Sequence, residues 1–113
     1  MEVLGSPITI RQLKTIAKDL YGDMVKAVVD IGAEKLAIDA ELHSDLERLL
    51  LSNGSEQENL WGINLYPEAD EEDFVEFDSL INIRPRQNNM SRDVENEDIR
   101  KKILEIVKQY ISN

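Results

Sequence analysis

The sequence predicts an α+β fold, a single layer of four mostly antiparallel strands with three helices in the order α-ββ-α-ββ-α. Three observations lead to it. Apolar residues recur at helical spacing near 10–21, after Ser44 and after Asn96. Between these stretches apolar and polar residues alternate with period two, the mark of half-buried strands. Turn residues, Gly32-Ala33 and Asn53-Gly54-Ser55, punctuate the alternation. With 113 residues the chain is read as one domain, 1–113, with residues 1–6 and 112–113 expected to be loose ends.

The first helix starts on a capping box. Thr9 is placed to accept from the Gln12 amide while Gln12 reaches back to Thr9, with Ile8 and Leu13 as a hydrophobic staple. Leu13, Ile16, Ala17, Leu20 and Tyr21 make its apolar stripe, and Gly22 suits a left-handed terminus. Two strands follow, joined at Gly32-Ala33 in an expected type II′ turn. That turn sets Val29 opposite Leu36, Ala27 opposite Ile38 and Val25 opposite Ala40. It also sets Asp30 against Lys35 and Lys26 against Asp39, pairs of opposite charge that were not used to choose the register. Ser44 to Glu47 reads as a second capping box, opening a short helix on Leu46, Leu49 and Leu50.

Leu60 to Tyr66 and Ser79 to Arg84 read as the second strand pair. Trp61, Ile63 and Leu65 share a face, and Trp61 is expected in the core with a partner for its indole N–H. Residues 74–77 fit an early part of the last strand, with a bulge near Asp78-Ser79, and Pro85 stops that strand. Asn96 caps the final helix, whose apolar stripe is Ile99, Ile103, Ile106, Val107 and Tyr110. Three striped helices suffice to cover one sheet face. The other face would then show Met24, Val28, Ala37 and Leu60, and a homodimer is the expected way to cover them.

Composition narrows the chemistry. There is no cysteine, which excludes disulfides, thiolate metal sites and thiol nucleophiles. It also fits a cytoplasmic location. No apolar run approaches the ~20 residues of a membrane helix, so no membrane role is expected. The formal net charge is −10, and seven of the 23 acids fall in residues 68–78, where there is no base. Against that background Arg84, Arg86 and Arg92 cluster in LINIRPRQNNMSR without an acid among them.

Two candidate sites emerge. The arginine loop 84–92 offers forked donors for an anionic ligand or an acidic protein partner. Its bland counterpart is internal pairing with residues 68–78, Asp93 or Glu95. Three arginines do not make the broad basic face of a nucleic-acid binder, so nucleic acid is disfavoured. The second candidate is a polar cluster, Glu41, His43, Asn64 and Asn82, around the only histidine. It would suit a small metal-dependent or acid–base enzyme. Asn64 and Asn82 equally suit cross-strand amide pairing, and His43 an ordinary strand-end position. No nucleotide, zinc-protease or serine-hydrolase motif is present, so no catalytic residue, metal ligand or cofactor is assigned. The preferred reading is a non-enzymatic binding or interaction module.

The stretches PITIRQL, DMVKAVVD, LAIDAELHSDLE, GSEQENLWGINLYP and SLINIRPRQNNMSR resemble a family of small prokaryotic proteins catalogued as a domain of unknown function. The resemblance covers roughly residues 7–112. It implies a single-domain prokaryotic protein and brings no ligand or catalytic residue with it.

Overall fold

The computed structural model describes residues 1–113. The elements in chain order are β1 (Glu2–Val3), β2 (Ile8–Thr9), α1 (Ile10–Asp19), β3 (Val25–Asp30), β4 (Lys35–Ile38), α2 (His43–Ser52), β5 (Leu60–Leu65), β6 (Val75–Glu76), α3 (Glu97–Tyr110) and β7 (Ile111–Ser112). The fold is α+β with three helices. Its main sheet has five antiparallel strands rather than four, ordered β1-β4-β3-β5-β6. A separate parallel pair joins β2 to β7.

Local signals place the helices. The Thr9–Gln12 capping box forms, with Thr9 N–H to Gln12 Oε1 at 2.8 Å and Gln12 N–H to Thr9 Oγ1 at 3.1 Å. Gly22 adopts φ +92°, a left-handed value glycine reaches at no steric cost, and its N–H closes on the Ala17 carbonyl. Asn96 caps α3 by accepting from Ile99 N–H. The second capping box does not form. The N-cap of α2 is Leu42, without a side-chain bond, so Ser44 already lies inside the helix.

The hairpin register is as expected, with Ala27 opposite Ile38, Val29 opposite Leu36 and Asp30 opposite Lys35. The turn differs. Residues 31–34 form a four-residue loop in place of a two-residue type II′ turn, because Asp30 Oδ1 accepts from both Gly32 and Ala33 N–H at 2.9 Å. Glu34, at φ +54°, completes the reversal. At the far end Asp39 turns to φ +73° and ends β4, so the Val25–Ala40 and Lys26–Asp39 pairs do not form. Asp39 instead lies 4.0 Å from the N-terminal amine, and Lys26 sits over the Tyr21 ring. Residues 2–4, expected to be loose, add β1 and bury Leu4.

The helices do not share one face. Leu13 and Ala17 of α1, with Ile103, Ile106 and Val107 of α3, pack on Ala27, Val29, Leu36, Ile38, Trp61 and Ile63. On the opposite face Leu46 and Leu50 of α2 cover Val28, Ala37 and Leu60. The result is helix–sheet–helix layering, and Val28, Ala37 and Leu60 of the face expected to need a second copy are already buried within the chain, with Met24 half-buried. Burying an aliphatic side chain contributes ~1.5–3 kcal/mol, which is why α2 goes to the side left bare.

Ser79 to Arg84 is not a strand. Leu80–Asn82 and Pro85–Gln87 are single tight turns, and β6 is the two-residue pair Val75–Glu76 opposite Leu65 and Asn64. No bulge forms at residues 78–79. The edge of β5 beyond β6 is closed by side chains. Asn82 Oδ1 accepts from Gly62 N–H at 2.8 Å, and Asn82 Nδ2 donates to Gly62 C=O at 2.9 Å. One side-chain amide thus stands in for the peptide group of a missing strand. Gly62 permits the approach, since a Cβ there would lie 2.6 Å from Ser79 Cβ.

Candidate functional site

The polar cluster is assembled on the α2 side of the sheet. Antiparallel register puts Lys26, Asn64 and Glu76 in one row across β3, β5 and β6. His43, the first residue of α2 and not a strand residue, packs beside this row with 8% of its surface exposed. Its Nε2 lies 2.8 Å from the Ile63 carbonyl, so in the neutral ring Nε2 carries the proton. Asn64 Nδ2 donates to Glu76 Oε1 at 2.9 Å and to the Asp78 carbonyl at 3.1 Å. Those two acceptors fix the amide orientation and leave Asn64 Oδ1 buried without a partner. Tyr66 also donates to Glu76 Oε1, at 3.0 Å, and burial, then this carboxylate, pushes its phenol pKa up.

Of the four residues expected to cluster, His43 and Asn64 come together and the other two do not. The Glu41 side chain is exposed, and only its backbone carbonyl is used, by the Tyr21 hydroxyl. Asn82 is committed to Gly62, so the Asn64–Asn82 amide pair does not form. No three His, Asp or Glu side chains stand close enough to hold a metal ion. None of the three main cavities is lined by His43 or Asn64.

Burial holds the His43 pKa below the usual imidazole value of 6.5. The Ile63 carbonyl opposes this, Lys26 reinforces it, and Asp78 and the Asn64 amide oppose it. A histidine whose folded pKa is depressed favours the fold in its neutral form. The unfolded chain therefore binds the proton first as pH falls below about 6.5. The melting temperature should drop from pH 7.5 toward pH 5.5, and His43→Gln should flatten that slope. An identical slope in the variant would show that other groups carry it.

The arginine loop has a definite structure. Arg84 and Asn89 form an isolated antiparallel bridge, with Arg84 N–H to Asn89 C=O at 2.8 Å and the return bond at 3.1 Å. Residues 85–88 turn the chain, ending on Asn88 at φ +59°. The segment 83–90 is therefore a miniature hairpin. Bridge register places Ile83 opposite Met90 on the side facing away from Arg84 and Asn89.

The inward side chains are fully engaged. Arg84 Nε donates to Ile81 C=O at 3.0 Å, Nη1 to Gln57 C=O at 2.8 Å and Nη2 to Leu60 C=O. Its guanidinium lies 4.5 Å from the Trp61 ring centre, while the buried Trp61 Nε1 finds no acceptor, contrary to expectation. Asn89, 3% exposed, donates to the Asn82, Ser91 and Asp93 carbonyls and accepts from Glu95 N–H. Arg92 pairs with Asp78, inside the acidic segment. Arg86, at the tip, makes no hydrogen bond or ion pair.

An anion does sit in this loop, and it is the protein's own. One oxygen of Glu95 accepts from Met90 N–H at 3.0 Å, Ser91 N–H at 2.9 Å and Ser91 Oγ at 2.6 Å. The Ser91 hydroxyl is the largest influence holding the Glu95 carboxyl below its usual pKa, and the two amides add to it. Sequence reasoning offers Asn89 and Ser91 as neutral donors of this loop, and missed that Asn89 caps it and that Glu95 fills the nest. The signal was there in Asn88-Asn89 after Pro85, a turn followed by a side chain that can cap its own loop.

Outward, beside exposed Arg86, Gln87 and Asn88, the segment also presents apolar side chains. Leu80, Ile83 and Met90 are 67%, 43% and 66% exposed. A second feature also escaped the sequence. A groove of about 540 Å³ runs between residues 69–75 and the C-terminal end of α3 with β7, lined by Phe74, Val75, Leu104, Val107 and Ile111. Glu71 and Lys108 stand at its rim, 3.7 Å apart.

The model of the family described as "Protein of unknown function (DUF5674)" matches residues 2–110. No curated protein and no solved structure matches the chain. No helix is long and apolar enough to cross a membrane.

Proposed function

We propose, for a chain that belongs to the DUF5674 family of unknown function, a non-enzymatic interaction module that binds through the 83–90 hairpin. The observation that carries this reading is the contrast between the two sides of the loop. Asn82, Arg84, Asn89 and Glu95 hold it rigidly from within, while Leu80, Ile83 and Met90 are presented to solvent. A solvated loop needs neither feature. A preorganised apolar patch lowers the ordering cost of binding.

The anionic partner expected for Arg84, Arg86 and Arg92 narrows to Arg86 in this reading. Arg84 and Arg92 already have acceptors, and Glu95 fills the amide nest. An acidic protein surface that meets Arg86 beside Met90 fits what is left. The alternative of an enzyme centred on His43 has less behind it, because that ring is buried and its Nε2 is engaged by Ile63. The cytoplasm of a prokaryotic cell is the setting we propose, on the cysteine-free composition and the family resemblance.

A photoreactive residue at position 90 should capture a discrete partner band in living cells, and the same residue at exposed Lys101 on α3 should not. Equal labelling from both positions, or no adduct from position 90, would overturn the reading.

A further inference from the structure

The hairpin and the groove carry matching chemistry, exposed apolar side chains with a free cation against an apolar recess with a carboxylate at its rim. The hairpin protrudes, with Ile83 and Met90 exposed and Arg86 at its tip lacking any partner within the chain. The groove is recessed, with an apolar floor of Phe74, Val75, Leu104 and Val107. Its rim touches the acidic segment: Glu71 lines the opening, Glu72 and Asp73 line a neighbouring cavity that shares Ala69 and Val75 with it, and Glu68 and Asp70 are exposed on either side of Ala69 in sequence. The one lysine there, Lys108, already lies beside Glu71.

The hairpin cannot enter the groove of its own chain. Arg84 ties the hairpin to the Leu60 carbonyl at the start of β5, whereas Val75 lies opposite Leu65 at its end. Five residues of strand separate the two attachments, about 17 Å at ~3.3 Å per residue. Both are anchored to the same rigid strand.

We infer that the groove receives the 83–90 hairpin of a second copy of this chain. The inference rests on the interaction-module reading and names its partner. The contact is heterologous, since a hairpin on one copy meets a different surface, the groove, on the next. It differs from the dimer expected from sequence, which would have used the sheet face now covered by α2. Met90 and Ile83 would meet Phe74 and Leu104, and Arg86 would meet Glu71 and its acidic neighbours. A groove of this volume falls within the usual range of ~300–1,000 Å³ for binding clefts.

Two exposed substitutions test it, one on each surface: Met90→Glu on the hairpin and Leu104→Glu in the groove, where Leu104 is 39% exposed. Sedimentation of the wild-type chain should give a mass that rises with concentration above 12.9 kDa. Each variant alone should stay at the monomer mass. Mixed together they should form a heterodimer, because one retains its groove and the other its hairpin. A reciprocal pair of charge reversals provides a second test on exposed residues. Arg86→Glu or Glu71→Arg alone should weaken association, and the two in one chain should restore it. A wild type that stays monomeric, an unaffected Leu104→Glu variant, or a mixture that remains monomeric overturns the inference. In that case a position-90 adduct with a different protein would leave the interaction-module reading standing, and its absence would remove both.

Discussion

Replacing Asn82 by leucine should lower the unfolding free energy by about 4 kcal/mol, although leucine keeps the same branched skeleton of side-chain heavy atoms. Asn82 is completely buried and serves both backbone groups of Gly62 as well as the Arg92 carbonyl. Gly62 lies in the middle of β5, with β3 on one side and only this amide on the other. Leucine would strand its N–H and C=O away from water. Each buried unpaired group costs ~1–3 kcal/mol, whereas a satisfied bond contributes only ~1, so the penalty is mainly desolvation. Urea unfolding with an unchanged slope should report the loss, and the Gly62 amide should exchange with solvent much faster than its β3 neighbours. A loss below about 1 kcal/mol, within the range of an ordinary surface change, would mean that the β5 edge does not depend on this amide.

That edge also explains where the sequence could be read and where it could not. The β3–β4 register was legible because opposed residues carry redundant information: apolar pairs on one face, Asp30 against Lys35 on the other, and a loop of limited length. The turn type was not, since it depends on Asp30 capping two amides, a side-chain choice that leaves the register intact. The ends of α1 and α3 followed from Thr9, Gln12 and Asn96, whose side chains bond within three residues. Ser44 failed because the same residue types tolerate the first turn of a helix that starts two residues earlier than a Ser44 cap implies. LINIR alternates like a strand, yet Asn82 and Arg84 point inward to imitate one with their side chains, and periodicity cannot tell a paired backbone from a paired amide. The split of the helices between two faces, and with it the location of the groove, depends on which sheet face each apolar stripe meets. Nothing in the stripe itself encodes that. His43 and Asn64 were named as neighbours for a wrong reason, a strand extended to residue 43. They meet because α2 begins where the Lys26–Asn64–Glu76 row passes beneath it.

Arg84→Ala should cost about 3 kcal/mol, an effect far above that of an exposed ion pair. Had Arg84 answered the acids of residues 68–78, its removal would have cost ~0–1 kcal/mol, the usual value of a surface pair. Its acceptors are instead three backbone carbonyls, Ile81, Gln57 and Leu60, and its guanidinium stacks over Trp61. Leu60 is fully buried, so its carbonyl has little access to replacement water. A hydrogen bond from a charged donor contributes ~1.5–3 kcal/mol, and a partly desolvated cation over an indole adds ~1–2. The exposed outer part of the side chain discounts the sum toward the figure given. Arg84→Lys should recover less than half, because the three donors of an ammonium radiate from a single nitrogen and cannot span three separate carbonyls as the planar fork does. Salt separates the two accounts. A pairing with carboxylates would fade in ~1 M salt, where the screening length is about 3 Å. Bonds to carbonyls and the contact with the ring should persist, so the wild-type minus Arg84→Ala difference should hold nearly constant from low salt to high. If the difference collapses with salt, Arg84 is working through the acidic segment. If it persists, the arginine is the bolt that fixes the hairpin to β5, and in the alanine variant capture of a partner from position 90 should weaken while the sheet core stays folded.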